Sequence, residues 1–122
     1  NQGNVLEAQR RADKARDELS ATEVRLSAEV TQNEERLKAL VVEAQTLQSE
    51  IMPGARSAYD AASKGFELGK FSFLEVLDAQ RTFFQARAQY LRSLSDAHRT
   101  AAELERVLGS IDSMSSAVPS RP

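Results

Sequence analysis

The sequence predicts an all-α fold, a long antiparallel helical hairpin paired as a coiled coil. Three observations predict it. Apolar or small residues recur every three or four positions from Ala8 to Phe66. A second pattern of the same kind runs from Phe73 to Leu108. Between them sit Gly65 and Gly69, the one place where two glycines lie close together between strongly helical segments. Composition agrees: Ala, Glu, Leu, Arg, Gln and Ser are abundant, which with helical periodicity signals long helices.

Residues 1–4 read as turn chemistry, because Asn and Gly tolerate unusual backbone angles. Asn4 is a reasonable N-cap. The opening Asn1-Gln2-Gly3, without an initiator Met, reads as the start of an excised segment. A first helix is expected over 5–66. Its stripe runs Ala8, Ala12, Ala15, Leu19, Thr22, Leu26, Val30, Asn33, Leu37, Leu40, Ala44, Leu47, Ile51, Ala55, Ala58, Ala62 and Phe66. The mean step is about 3.6 residues, the period of a straight α-helix, so little supercoil is expected. Glu7, Arg10, Arg11, Asp17, Arg25, Glu35, Arg36 and Glu43 lie opposite and read as a solvated face.

Pro53 interrupts the pattern. A proline inside a helix removes one hydrogen bond and collides with the preceding turn. A kink near Pro53 is expected rather than a break, because the stripe continues beyond it. A tip turn follows at 67–71. The second helix is expected over 72–109, with Ser72 as N-cap and Glu75 three positions later, the capping-box spacing. Gly109 fits a C-terminal glycine cap. One side of this helix carries Phe73, Leu77, Phe84, Ala88 and Leu91; the adjacent side carries Val76, Phe83, Tyr90, Leu94, Ala97, Ala101, Leu104 and Leu108. Residues 110–122, rich in Ser, Pro and small side chains, read as a disordered tail.

The two helices are unequal in length, which has a consequence for assembly. Folded back, the second covers the first only from Phe66 to about Glu29, leaving the Ala8–Leu26 stripe unpartnered. The apolar face of the second helix is also wider than one partner helix covers. The hairpin therefore reads as one stave of something larger, and the isolated chain is expected to self-associate weakly.

Chemistry is sparse. A net charge of −2 gives no electrostatic case for nucleic acid. Without cysteine there is no thiolate metal site, and His98 alone cannot make a multi-histidine one. No phosphate loop, catalytic set or cofactor motif is present, so an enzyme is not expected. No run is apolar and long enough to cross a membrane as a helix. What remains is the tip. Phe66, Leu68, Phe71, Phe73 and Leu74 crowd a turn with little core around it. They either plug the hairpin end or stay exposed to dock another protein. Just beyond, Glu75 and Asp78 share a helix face. Glu75 has a competing local role as a capping residue.

These residues carry a resemblance. Tyr59, Phe66, Gly69 and Ser72 are followed by the run Leu74-Glu75-Val76-Leu77-Asp78-Ala79-Gln80. Phe84, Ala86, Arg87, Tyr90, Leu104 and Leu108-Gly109 complete the pattern. It resembles the C-terminal repeat of TolC-type outer-membrane efflux channels, the outer membrane factors. The opening Asn1-Gln2-Gly3-Asn4-Val5 resembles the point where the last barrel strand of that family gives way to its long helix. Pro53-Gly54 at this distance from the tip is most similar to the heavy-metal, CzcC/CusC-like branch.

The resemblance implies a homotrimer in the outer membrane of a Gram-negative bacterium, with this segment in the periplasm as a helical hairpin of the channel entrance. Phe66, Leu68, Gly69, Lys70, Phe71 and Ser72 would form the tip that docks a periplasmic adaptor (membrane fusion) protein. That adaptor links the channel to an inner-membrane RND-type pump. Glu75 and Asp78 would line the gate and favour cations. Some relatives carry a Tyr and an Arg that lock the entrance through polar links, where this chain has Phe66 and Phe71; apolar packing would do the holding. The competing expectation is a free-standing coiled-coil scaffold or signalling stalk, which the same amphipathic faces would serve.

Overall fold

The computed structural model describes residues 1–117. They form α1 (Gln2–Thr46), a π-helical turn (Leu47–Ile51), α2 (Met52–Glu67) and α3 (Phe73–Ala117), with no strand among the described residues. The fold is the expected all-α hairpin.

Three boundaries differ from the sequence expectation. Residues 2–4 are helical, so Asn4 is not the cap; the Val5 amide already bonds the Asn1 carbonyl at 3.1 Å. Asn and Gly disfavour helix by only about 1 kcal/mol each, too little to stop it without a competing turn. At the other end α3 passes through Gly109 to Ala117. Gly109 is therefore an interior residue, and 110–117 are helix rather than disordered tail. Half-buried Ile111 and Met114 lie beyond the glycine, and burying such side chains, at about 0.8 kcal/mol per methylene, offsets its cost. The remainder of the expected tail, residues 118–122, lies outside the described residues.

The third difference concerns Pro53. Helix continues across it, and the irregularity falls one turn earlier. The Met52 amide donates to the Leu47 carbonyl, five residues back instead of four. Pro53 is the second residue of α2, directly after this wider turn. The hydroxyl of Ser49 donates to the Gln45 carbonyl at 2.7 Å, within the same turn.

The chain divides into two compact units, Arg36–Ala101 and Asn1–Glu35 with the stretch from Ala102 onward. In the first unit the burial pattern on α3 is Val76, Ala79, Phe83, Ala86, Tyr90, Ser93, Ala97 and Thr100. These steps alternate three and four, the 3.5-residue period of a coiled-coil seam. Facing this seam, α1 buries Leu37, Leu40, Ala44 and Leu47 in the same rhythm. After the π turn the buried positions are Met52, Ala55, Tyr59 and Ala62. The five-residue step from Leu47 to Met52 is one longer than the rhythm requires, and the π turn absorbs the extra residue. Ile51 and Ala58, expected on the stripe, are exposed for this reason. The buried positions from Leu37 to Ala62 thus follow a 3.5 repeat carrying one insertion, not a uniform 3.6 period.

Across the seam, the Gln89 side chain donates to the Glu43 carboxylate at 2.7 Å, an exposed link between α1 and α3. Gln89 in turn accepts from Arg92. Ser93 is 1% exposed and its hydroxyl has no partner, so this layer holds by close approach of small side chains rather than by hydrogen bonding.

In the second unit Leu26 and Val107 are buried, with Val30, Asn33, Leu104, Ile111 and Met114 half-buried. On its surface Arg106 donates to the Glu103 carboxylate, which lowers the carboxyl pKa and raises that of the guanidinium; the Glu29 charge adds to the latter. Residues 1–21 are exposed throughout, including Val5, Leu6 and Leu19.

The tip turn depends on two glycines for different reasons. Gly69 has φ +72°, where a Cβ is strained. Gly65 has ordinary helical geometry, but a Cβ there would overlap the Phe71 ring. Gly69→Ala should lower stability in urea unfolding by about 1 kcal/mol. Gly65→Ala should be close to neutral, because displacing the Phe71 ring offsets the helix propensity gained. In a Phe71→Ala background the same change should stabilise by about 1 kcal/mol.

Candidate functional site: the hairpin tip

The tip is a closed backbone device. α2 ends with the Gly69 amide bonding the Phe66 carbonyl at 2.9 Å and the Lys70 amide bonding the Gly65 carbonyl at 2.7 Å. This paired pattern around a left-handed glycine is a Schellman cap. The Phe71 amide also reaches Gly65, at 3.2 Å, and the Phe71 ring lies over the Gly65 backbone. The chain then enters α3 through a reciprocal capping box. The Ser72 amide donates to the Glu75 carboxylate at 2.7 Å, and the Glu75 amide donates to the Ser72 hydroxyl at 3.3 Å. Each orphan amide at the start of α3 that these groups satisfy removes a reason for the turn to fray.

This rigid turn carries apolar side chains that the chain does not cover. Leu74 is 71% exposed and Leu68 63%, with Phe66, Phe71 and Phe73 also exposed. Phe66 and Phe73 lie 5.6 Å apart between ring centroids, tilted at 55°, and so join the end of α2 to the start of α3. The rings support each other without forming a plug. Leu77, Phe84 and Leu91 continue an exposed apolar row along α3.

The two acids expected to act together have separate local partners. Glu75 is the capping-box carboxylate. Asp78 is exposed and accepts from Arg81 at 2.8 Å, three residues on. Its carboxylate is therefore a surface ion pair, a contact worth about 0–1 kcal/mol that an outside partner readily replaces. Arg81 joins the site through its i, i+3 spacing from Asp78, a signal visible in the sequence. Gly65 was read only as punctuation; its role under Phe71 has no sequence signal of its own. Lys70 is exposed beside the apolar residues. Among the described residues no cluster of three His, Cys, Asp or Glu could hold a metal ion, and no helix is long and apolar enough to cross a membrane.

The described residues thus form a helical hairpin with an uncovered apolar tip. Residues 1–110 match the family model described as outer membrane efflux protein, and the chain belongs to that family. It is 46% identical over 109 residues to the cobalt-zinc-cadmium resistance protein CzcC of Cupriavidus metallidurans. The match covers 89% of this chain and 26% of that relative, so the chain spans about a quarter of the relative's length. No solved structure matches.

Glu75 can be separated into its capping and charge roles. Ser72→Ala should cost about 1 kcal/mol in urea unfolding. Glu75→Gln should cost much less, because Gln also closes a capping box.

Proposed function

We propose that this chain is the periplasmic helical hairpin of an outer-membrane efflux channel, at the entrance through which a tripartite system exports metal cations. The observation that carries this reading is the tip: its backbone is held by two caps while its apolar side chains stay uncovered. A rigid, uncovered apolar surface is what a docking partner needs. Family membership and the identity to a cobalt-zinc-cadmium resistance protein support the metal-export assignment.

In this reading the full-length protein is a homotrimer in the outer membrane. The tip residues Phe66, Leu68, Gly69, Lys70, Phe71 and Ser72 dock a periplasmic adaptor, and an inner-membrane RND-type pump supplies the energy. Glu75 and Asp78 line the entrance. Three copies bring six carboxylates to one constriction, and a ring of negative charge favours cations over anions by its field. Because Asp78 is paired only with exposed Arg81, a passing cation can compete for it at little cost. The chain is a conduit in this scheme, and no proton or bond is exchanged.

Two measurements check the reading. In the full-length channel, Glu75→Gln with Asp78→Asn should raise severalfold the concentration of multivalent cation that half-blocks conductance. Unchanged block removes the pore-lining assignment while leaving the docking one intact. Separately, Leu68→Ser with Leu74→Ser should abolish metal tolerance in cells and leave the trimer assembled. Full tolerance removes the docking assignment.

A further inference from the structure

The π turn points to a conformational device in the tip arm. Leu47–Ile51 holds one residue more than the seam requires. The seam on the tip side therefore uses Met52, Ala55, Tyr59 and Ala62. If the helix were α throughout, the same rhythm continued from Leu47 would fall on Ile51, Gly54, Ala58 and Ala61. All four are exposed in the structure, and all four are apolar or small. The charged residues of this segment, Arg56, Asp60, Lys64 and Glu67, lie on neither set. α2 thus carries two adjacent faces, each able to pack on the same partner seam, one helical residue (about 100°) apart.

We propose that α2 has two registers, interconverted by forming or closing the π turn, and that Pro53 is the latch that selects the observed one. In an uninterrupted α-helix the Pro53 ring would collide with the Ser49 carbonyl, four residues back. The π turn removes that collision by widening the turn ahead of the proline. Closing it rotates α2 about its axis, so the face next to the seam changes and the tip residues attached to α2 turn with it. The Schellman cap moves as one piece with α2, and the Phe66–Phe73 contact that joins α2 to α3 parts or re-forms as α2 turns. The α1 seam of Leu37, Leu40, Ala44 and Leu47, with the Gln89–Glu43 bond beside it, lies on the far side of the π turn and is the same in both states.

The chain has no cysteine, so single cysteines report each face cleanly. In the full-length protein, with any other cysteine removed, Ala61→Cys and Ala62→Cys are labelled in turn with a maleimide. With Pro53 present, Ala61→Cys should react fast and Ala62→Cys slowly. Adding Pro53→Ala should invert that order, slowing the first and speeding the second by about tenfold or more, given what a proline costs inside a helix. Deleting exposed Gln48 in the Pro53→Ala background removes the extra residue and should restore the original order. An unchanged order in Pro53→Ala overturns the proposal. If Pro53→Ala alone exposes both positions, protection of Ala62→Cys in the deletion variant supports the register mechanism, and its absence overturns it.

Discussion

One narrow seam has to stay in phase, and the rest of the structure follows from that constraint. Two helices stay paired only while their apolar positions return to the interface every 3.5 residues. Half of the positions in this seam are Ala, Ser or Thr, and Leu, Met, Val, Phe and Tyr supply the rest. Small residues let the backbones approach but bury little area each, so phase errors cannot be tolerated by brute hydrophobic bulk. A single extra residue must be absorbed somewhere. It is absorbed in the turn where Pro53 would otherwise collide with the carbonyl four residues back, so one distortion resolves both problems.

The tip shows the opposite economy. There the backbone is over-determined, with a left-handed glycine, a paired C-cap, a reciprocal N-cap and a ring lying on a glycine backbone. The side chains, by contrast, are left in solvent. Rigid backbone with exposed apolar groups lowers the ordering cost of binding, since little conformational freedom remains to be lost. Of the two acids near the tip, only Asp78 is held lightly. Glu75 is occupied in capping, and Asp78 is engaged by one exposed arginine. A carboxylate held as Asp78 is can exchange partners at little cost, which a buried structural ion pair cannot.

Particular residues show how far the sequence could be read. Ser72 and Glu75 announced the start of α3, because a capping box is local and its spacing is its geometry. Gly69 announced the turn for the same kind of reason. Gly109 misled, because a glycine is a cap only if nothing beyond it is worth burying, and Ile111 and Met114 lie on the seam. Ile51 and Ala58 were placed on the stripe because an average period cannot distinguish a uniform 3.6 repeat from a 3.5 repeat with one insertion. The i, i+3 spacing of Asp78 and Arg81 permits an ion pair, and the structure forms it.

The sequence by itself determined the all-α class, the two-helix order, the turn at Gly69 and the resemblance that led to the family. These rest on propensity, period and capping, all of which act within a few residues along the chain. Only the tertiary structure decided which of two neighbouring apolar faces of α2 is buried, where the extra residue is stored, and that the tip aromatics stay uncovered. Those depend on the phase of one helix against another, and a single strand of sequence carries no record of the partner surface that sets it.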